Sequence, residues 1–499
     1  FEGVPVPVYL PFGYFPLNTG RRSGLLPVEY EVNEAFGIGL TGIGYHKVIN
    51  DYVDVTVRGS IYSYGGWNAN VTPMYRKRYR YTGGMNFSLQ NTKQNFKGDP
   101  DYSKSRTFMV SWNHSIDPRA RPGTNFSANV NAGSSRFNEL LPNSPNRNFQ
   151  NQLQSSVSYS KTWAGKPYNL SLSANHNQNN NTRLMHLTLP DVGFTVNTIY
   201  PLQSKDMAGT PKWYERLGIG YNGVARNQLS FYDTAQNSIK SLLDTLQWGA
   251  QHRIPISLSL PPLGPFVIAP NVSYEETWLT SRIRRQWNRA NNKLDTISND
   301  KGFYTDRQMS FGLSFNTAVY GMMNFRNSRL VALRHVIRPN FSFNYRPNMS
   351  RKHYDIVQTD STGKRFYPYS HFSGNNMFAG YSFGRYGGIS FSVDNNLEMK
   401  WRSKKDTGEA AIKKVRLIDG FGFNSGYNYL ADSLSPKLQP FNLYLRSTLF
   451  DKINLSASAV LNPYEVTSDG LFDYSRYTWQ GNRFSPGRLT SVSVSMSTD

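Results

Sequence analysis

Taken two residues at a time, this 499-residue chain repeats one pattern almost from end to end, with apolar and polar side chains alternating. From Val53 to Ile61, Val53, Val55, Val57 and Ile61 fall on one face of an extended segment, and Asp54, Thr56, Arg58 and Ser60 on the other. The pattern returns at Phe126, Ala128, Val130 and Ala132, at Tyr168 to Ala174, and at Ile254, Ile256, Leu258 and Leu260. It recurs from Ile389 to Met399, from Ile453 to Leu461, and at Val492, Val494 and Met496. Period two is the signature of β-strands whose two faces meet different surroundings. Turn-rich stretches such as GDPDYSKSR, LPNSPNRN, NQNNNT and SKKDTGEAAIKK, and a long one from Arg346 to Asn376, separate the runs. The spacing predicts roughly 20 strands. One segment, QNSIKSLLDTLQWGAQ from residue 236, predicts a short loop helix.

Alternation alone suits a soluble sheet with one face on a core, so the polar face has to decide. In a soluble sandwich that face meets bulk water and carries Lys and Glu. Here it is written in Ser, Asn, Gln, Thr and Tyr, residues suited to a hydrated interior. The apolar face carries aromatics near strand ends, as at Trp112, Tyr159, Trp163 and Trp401. An apolar belt flanked by aromatic girdles and backed by a polar lumen is what a transmembrane β-barrel requires. It also reconciles 38% hydrophobic residues and a mean hydropathy of −0.54 with a membrane protein, because only half of each strand touches lipid. No apolar run reaches the roughly 20 residues of a membrane helix. The expected fold class is all-β, a large antiparallel transmembrane barrel. A soluble β-rich binder of nucleic acid or glycan is the rival reading.

Fifty-five Lys and Arg against 33 Asp and Glu leave a formal +22, a potential that attracts phosphate-bearing partners. The absence of cysteine excludes disulfides and thiolate metal sites. GIGLTG at residues 37 to 42 fits a dinucleotide-binding pattern, but it leads toward strand and not into the helix such a site needs. GYSFG at residues 380 to 384 fits a nucleophile elbow centred on Ser382, yet GGISFSVDNN continues as strand. The eight histidines show no metal spacing. Neither a catalytic constellation nor a cofactor site is expected. In MYRKRYRY, residues 74 to 81, Arg76, Arg78 and Arg80 share one face, and Tyr75, Lys77, Tyr79 and Tyr81 the other. Read as strand, this is a lumenal ladder of cations at about 6.8 Å spacing, with the tyrosines at a membrane interface and Lys77 snorkelling. Such a ladder is a track for phosphates.

The segment VPVPVYLPFGYFPLNTGRRSGLLP, with Arg21, Arg22, Ser23, Gly24 and Pro27, resembles the junction between periplasmic jellyroll and barrel in the LptD family. The following GYHKVINDYVDVTVRGSIYSYGGWNANVTPMYRKRYRYTG is similar to that family's first barrel strands. LRHVIRPNFSFNYRP and HFSG are similar to later segments.

The resemblance implies a non-enzymatic translocon in the outer membrane of a Gram-negative-type envelope. It would carry lipopolysaccharide from an LptA-like periplasmic bridge to the outer leaflet, around an LptE-like plug lipoprotein and among outer-membrane lipids, with no nucleic-acid partner. A passive porin or uptake channel is the alternative use of the same barrel. The family barrel has about 26 strands and releases lipid at a seam between first and last strands, which prolines weaken. Pro27 matches one of these prolines, whereas the second falls near Gly44, where glycine stands instead. Gly37, Gly39, Gly42 and Gly44 are therefore candidate seam residues, since glycine raises the cost of ordering a strand and has no side chain to pack. The alternative is that they make room for bulky aromatics. Residues 1–28 are expected to end the jellyroll and 29–499 to form barrel, most of the periplasmic domain preceding Phe1. The ending SVSVSMSTD, without an aromatic final strand, implies further strands beyond this chain. The family's disulfides cannot form here.

Overall fold

The computed structural model describes residues 21–138, 151–204, 209–232, 245–326, 329–363, 365–375, 377–403, 412–431, 435–449, 452–467, 470, 472–480 and 485–498. Among these the chain is nearly all strand. One antiparallel sheet has 22 strands, and two small sheets have two strands each. The helical pieces are single 3-10 turns such as Trp213–Arg216, Arg351–His353 and Thr478–Gln480. This is the all-β class of the large antiparallel barrels.

Every alternating run is a strand: Val53–Tyr62, Thr124–Gly133, Tyr168–Asn179, Gln247–Leu258, Tyr386–Arg402, Ile453–Asn462 and Arg488–Thr498. Two expectations need correction. The helical candidate from residue 236 lies partly outside the described residues, and its end is strand from Gln247, drawn into a ladder where Gly249 and Ala250 pair with Leu279 and Trp278. The turn-rich stretch from Arg346 to Asn376 carries its own hairpin, Tyr354–Gln358 with Phe366–Ser370.

Two compact units divide the chain, residues 1–164, 170–192 and 227–246 in one, and 165–169, 193–226 and 247–499 in the other. In the first, successive hairpins align side chains into rows. Val57, Val71, Phe87, Val110 and Ala132 form one apolar row across five strands. The neighbouring row, on the opposite face, runs Arg58, Asn70, Ser88. In the second unit, Pro339, Val393, Phe423, Leu443, Ala459 and Val492 make an apolar row across six strands, beside Arg338, Asp394, Gly422, Tyr444, Ser458 and Ser493.

Along the strand Tyr81–Gln94 the two faces bury in the reverse of the order water would impose, Phe87 being 42% and Leu89 55% exposed while Ser88 and Gln90 are each 6% exposed. A soluble sheet hides its aliphatic rows and wets its serines and amides. In Tyr81–Gln94 the apolar row is the exposed one, and among the described residues the clusters of buried apolar side chains are small, Met109 with Phe137 and Leu153, and Leu279 with Phe372, Met377 and Phe378.

Candidate functional site

At the N-terminal edge of the first unit the ladder is broken. Gly24–Leu25 pairs with His46 and Tyr45, and Glu29–Asn33 pairs with Thr41 back to Gly37, both on the strand Gly37–Asn50. Between these pieces Leu26 N–H still donates to the Gly44 carbonyl at 2.9 Å. Pro27 then follows, with no N–H to give. Opposite it the Gly37–Asn50 strand bulges, its register with Val53–Tyr62 shifting between Leu40 and Ile43. Gly42 sits in that bulge at φ +79°, and a Cβ there would come within 2.7 Å of the Pro27 carbonyl oxygen. Proline and bulge therefore face one another, and the edge strand is two short pieces instead of one long one. Such a strand is easily unpaired.

The candidate glycines divide by cause. Gly42 and Gly44 allow backbone approach, a Cβ at Gly44 colliding with the Val57 carbonyl. Gly37 and Gly39 make room for side chains, Gly37 at φ +81° beneath Ser63 and Tyr64, and Gly39 against the Tyr62 ring at 2.7 Å from where its Cβ would be. At those two a neighbouring side chain already fills the space a Cβ would need.

The arginine ladder does not form as a strand. The strand Trp67–Lys77 stops one residue after Arg76, Arg78 to Arg80 make the hairpin turn, and the next strand starts at Tyr81. Arg80 N–H closes the turn onto the Lys77 carbonyl at 3.0 Å, and Tyr79 takes φ +59°. A bulky residue in that region costs roughly 1–2 kcal/mol, so something must hold it there. Arg78 lies over the Tyr79 ring at 4.8 Å and Arg119, from the next hairpin on the same side, at 6.0 Å. Each such contact offsets about 0.5–1 kcal/mol at an exposed site. Arg76 keeps the polar face beside Thr82, and Lys77 turns the other way, over Tyr52 at 5.1 Å.

The result is an open concavity of about 570 Å³ lined by Arg76, Lys77, Arg78, Arg80 and Arg119, with Asp117 its one carboxylate, 3.4 Å from Arg119. Among the described residues Arg76, Lys77, Arg78 and Arg80 form no ion pair. Arg119 and Asp117 were missed in the sequence reading. The proline- and arginine-rich turn IDPRARP, one hairpin on and near the same strand end, was the available signal.

Just inside this rim, on the apolar face, lies a belt of rings. The Tyr75 hydroxyl stands 2.8 Å from His114 Nδ1 and accepts from Trp112 Nε1–H at 2.8 Å, with Tyr81 and Phe126 packed against His114. Rings with one wet end at the close of a strand mark a membrane interface. The rim cations lie just beyond this belt, at the strand ends.

The polar face of the second unit is charged but balanced. Arg338 pairs with Asp394 at 3.4 Å and Arg334 with Glu398 at 3.6 Å, and Tyr444 donates to Asp394 at 2.5 Å. These arginines have carboxylate partners, whereas at the rim Arg119 alone has one and Arg76, Arg78 and Arg80 form no ion pair among the described residues.

A family model described as LptD protein matches residues 1–464. No curated protein matches the chain. Among solved structures the chain is similar to a double mutant of the Serratia marcescens hemophore receptor HasR in complex with its hemophore HasA and heme. That likeness has 9% identity, covers 96% of this chain and 80% of that one, and reaches a TM-score of 0.19, too low to carry an argument.

Proposed function

The chain belongs to the LptD protein family, outer-membrane proteins with a role in lipopolysaccharide transport, and from that premise we propose how its own residues do the work. The polar rows line a hydrated path for the saccharide headgroup, and the apolar rows face lipid. The broken edge at Pro27 and Gly42 is one side of a seam through which acyl chains leave sideways. Residues 1–28, of which 1–20 lie outside the described residues, hand over from a periplasmic jellyroll and 29–499 form barrel wall, the chain being a conduit and not an enzyme. An LptA-like bridge delivers the lipid and an LptE-like lipoprotein plugs the path.

The observation that carries this reading is the inversion of burial along Tyr81–Gln94, where Phe87 and Leu89 are exposed and Ser88 and Gln90 are buried. It suits a wall between lipid and water and no soluble core.

Within that reading Arg76, Arg78 and Arg80, joined by Arg119, engage headgroup phosphates at the entrance. We assign this rim to the periplasmic side; its turns at residues 51 to 52 and 78 to 80 are short, as periplasmic turns of outer-membrane barrels are. A cation beside a membrane surface contributes about 1 kcal/mol to holding an anionic headgroup. Changing Arg76, Arg78 and Arg80 together to Ser should then weaken lipopolysaccharide capture on the order of 100-fold. Cells carrying the triple variant should lose surface lipopolysaccharide and become sensitive to large antibiotics. Unchanged surface lipopolysaccharide at normal protein levels would remove the rim from the transport path.

A further inference from the structure

The connection between the strands Leu330–Arg346 and Tyr386–Arg402, residues 347–385, does not stand away from the sheet. It folds down onto the polar face of Gln247–Leu258, Val267–Asn288 and Lys293–Asn316. Its far end is tied by the backbone, Ile283 N–H donating to the His371 carbonyl at 2.6 Å. Its outer corner is tied by charge, with His371 Nε2 3.0 Å from Asp355 and Asp355 3.3 Å from Arg284. Phe372, Met377 and Phe378 seat against Leu279 beneath.

Its two legs, however, meet on a single atom group. Asp306, in the middle of Lys293–Asn316, is fully buried. One carboxylate oxygen accepts from the Ser350 hydroxyl at 2.6 Å, where the connection departs, and the other accepts from Tyr381 N–H at 2.8 Å, where it returns. Arg307 N–H donates to the first oxygen at 2.9 Å, and His353 Nε2 stands 4.0 Å from it. Thr277, across the ladder from Asp306 and also fully buried, donates to the Tyr381 hydroxyl at 3.0 Å. Tyr354 donates to the Tyr381 carbonyl at 2.7 Å, tying one leg to the other. A buried carboxylate is tolerated only where its lone pairs are met, and most of the donors that meet this one belong to the connection. The two are mutually dependent.

We propose that residues 347–385 are a strap latched onto the polar face of the wall by the Asp306 carboxylate, and that loss of this carboxylate releases both legs together and uncovers the face beneath. The strap is then the movable part of an otherwise hydrogen-bonded wall. Release would widen the polar path on this side, a consequence that rests on the transport reading, whereas the latch itself does not.

The test separates the two. The purified full chain in detergent micelles is followed by amide hydrogen exchange, as wild type, Asp306→Asn, Ser350→Ala, and the control Asp300→Asn, whose carboxylate pairs instead with Arg282. Asp306→Asn should speed exchange at least tenfold at both Ser350–Asp355 and Phe378–Tyr381 while Leu330–Arg346 and Tyr386–Arg402 stay protected. Ser350→Ala should give a smaller rise at the first leg, and the control none. Protection of both legs in Asp306→Asn overturns the latch, as does rapid exchange at one leg alone. If Asp306→Asn does not fold, Ser350→Ala decides, and an unchanged first leg overturns the proposal. Conductance in planar bilayers reads the consequence separately. Fast exchange with unchanged conductance keeps the latch and removes its part in transport.

Discussion

Side chains at the broken edge show how one residue type can stand at neighbouring positions for different reasons. Gly37 and Gly39 belong to the weak edge by place, yet they are glycine because Tyr62, Tyr64 and Ser63 occupy the space a Cβ would take. Gly42 is different, since what blocks its Cβ is a backbone atom, the Pro27 carbonyl oxygen, in addition to a left-handed φ that Gly37 shares. Gly42→Ala should therefore destabilise the edge by about 1–2 kcal/mol, the cost of placing an L-residue in that region. Heat-induced unfolding in detergent should start earlier, with faster exchange in Glu29–Asn33 and Gly37–Leu40. An alanine that leaves both unchanged would mean the bulge is not under constraint. The same scale explains the misplaced arginines. YRKRYRY contains no Gly, Pro, Asn or Asp, so nothing in it announces a turn, while the Gly83–Gly84 pair that does announce one lies within a strand. The turn falls at Arg78 to Arg80 because the ladder partners of Trp67–Lys77 run out there, and Tyr79 bears the strain.

Among elements, strands were legible and the strap was not. Period two persists because the two faces of each strand meet different surroundings, so register is written in every residue. The strap is a segment whose partners lie on a wall reached only after folding. YDIVQ and FYPYS hint at a hairpin, but nothing in the sequence tells that Ser350 and Tyr381 converge on Asp306. Its acid–base chemistry is nevertheless testable. Burial holds His353 below the ordinary imidazole range, a shift that Lys352 and His371 deepen and Asp306 opposes. Burial would raise Asp355, but hydrogen bonds from His371 and Arg284 outweigh it and leave the carboxyl below its usual range. Both docked-state pKa values are depressed, so docking is fully present above the unbound values and is lost as pH falls through the docked ones. Below about pH 6.5, the free imidazole value, His353 begins to weaken the strap, and below about pH 4 Asp355 adds to this. Exchange at residues 350 to 358, corrected for intrinsic rates, should rise from pH 7.5 to 5.5 in wild type and stay flatter in His353→Gln. Equal slopes would take His353 out of the docking equilibrium.

At the scale of the whole molecule, one assignment governs the others: which row of each strand meets lipid. The strand Phe441–Leu449 offers a matched pair of neighbours. Leu443 lies in the apolar row with Phe423 and Ala459, and Asn442 on the opposite face, where its amide donates to Asn424 Oδ1 at 3.0 Å. Both positions have the same strand, the same depth within one residue, and the same backbone bonds. Arginine at Leu443 would have to enter hydrocarbon, at roughly 2–4 kcal/mol near the bilayer midplane. Arginine at Asn442 would enter the polar face, where Arg446 already lies opposite Gly420 on that same side, at a cost of about one lost hydrogen bond, on the order of 1 kcal/mol. Folding into lipid vesicles, followed by the heat-resistant compact form on gels, should therefore fall sharply for Leu443→Arg and little for Asn442→Arg. In detergent micelles, whose apolar shell deforms around a charge, the gap should narrow. If instead Asn442→Arg is the damaging change, the apolar row is an interior, and the path for saccharide and the seam for acyl chains lose their common basis.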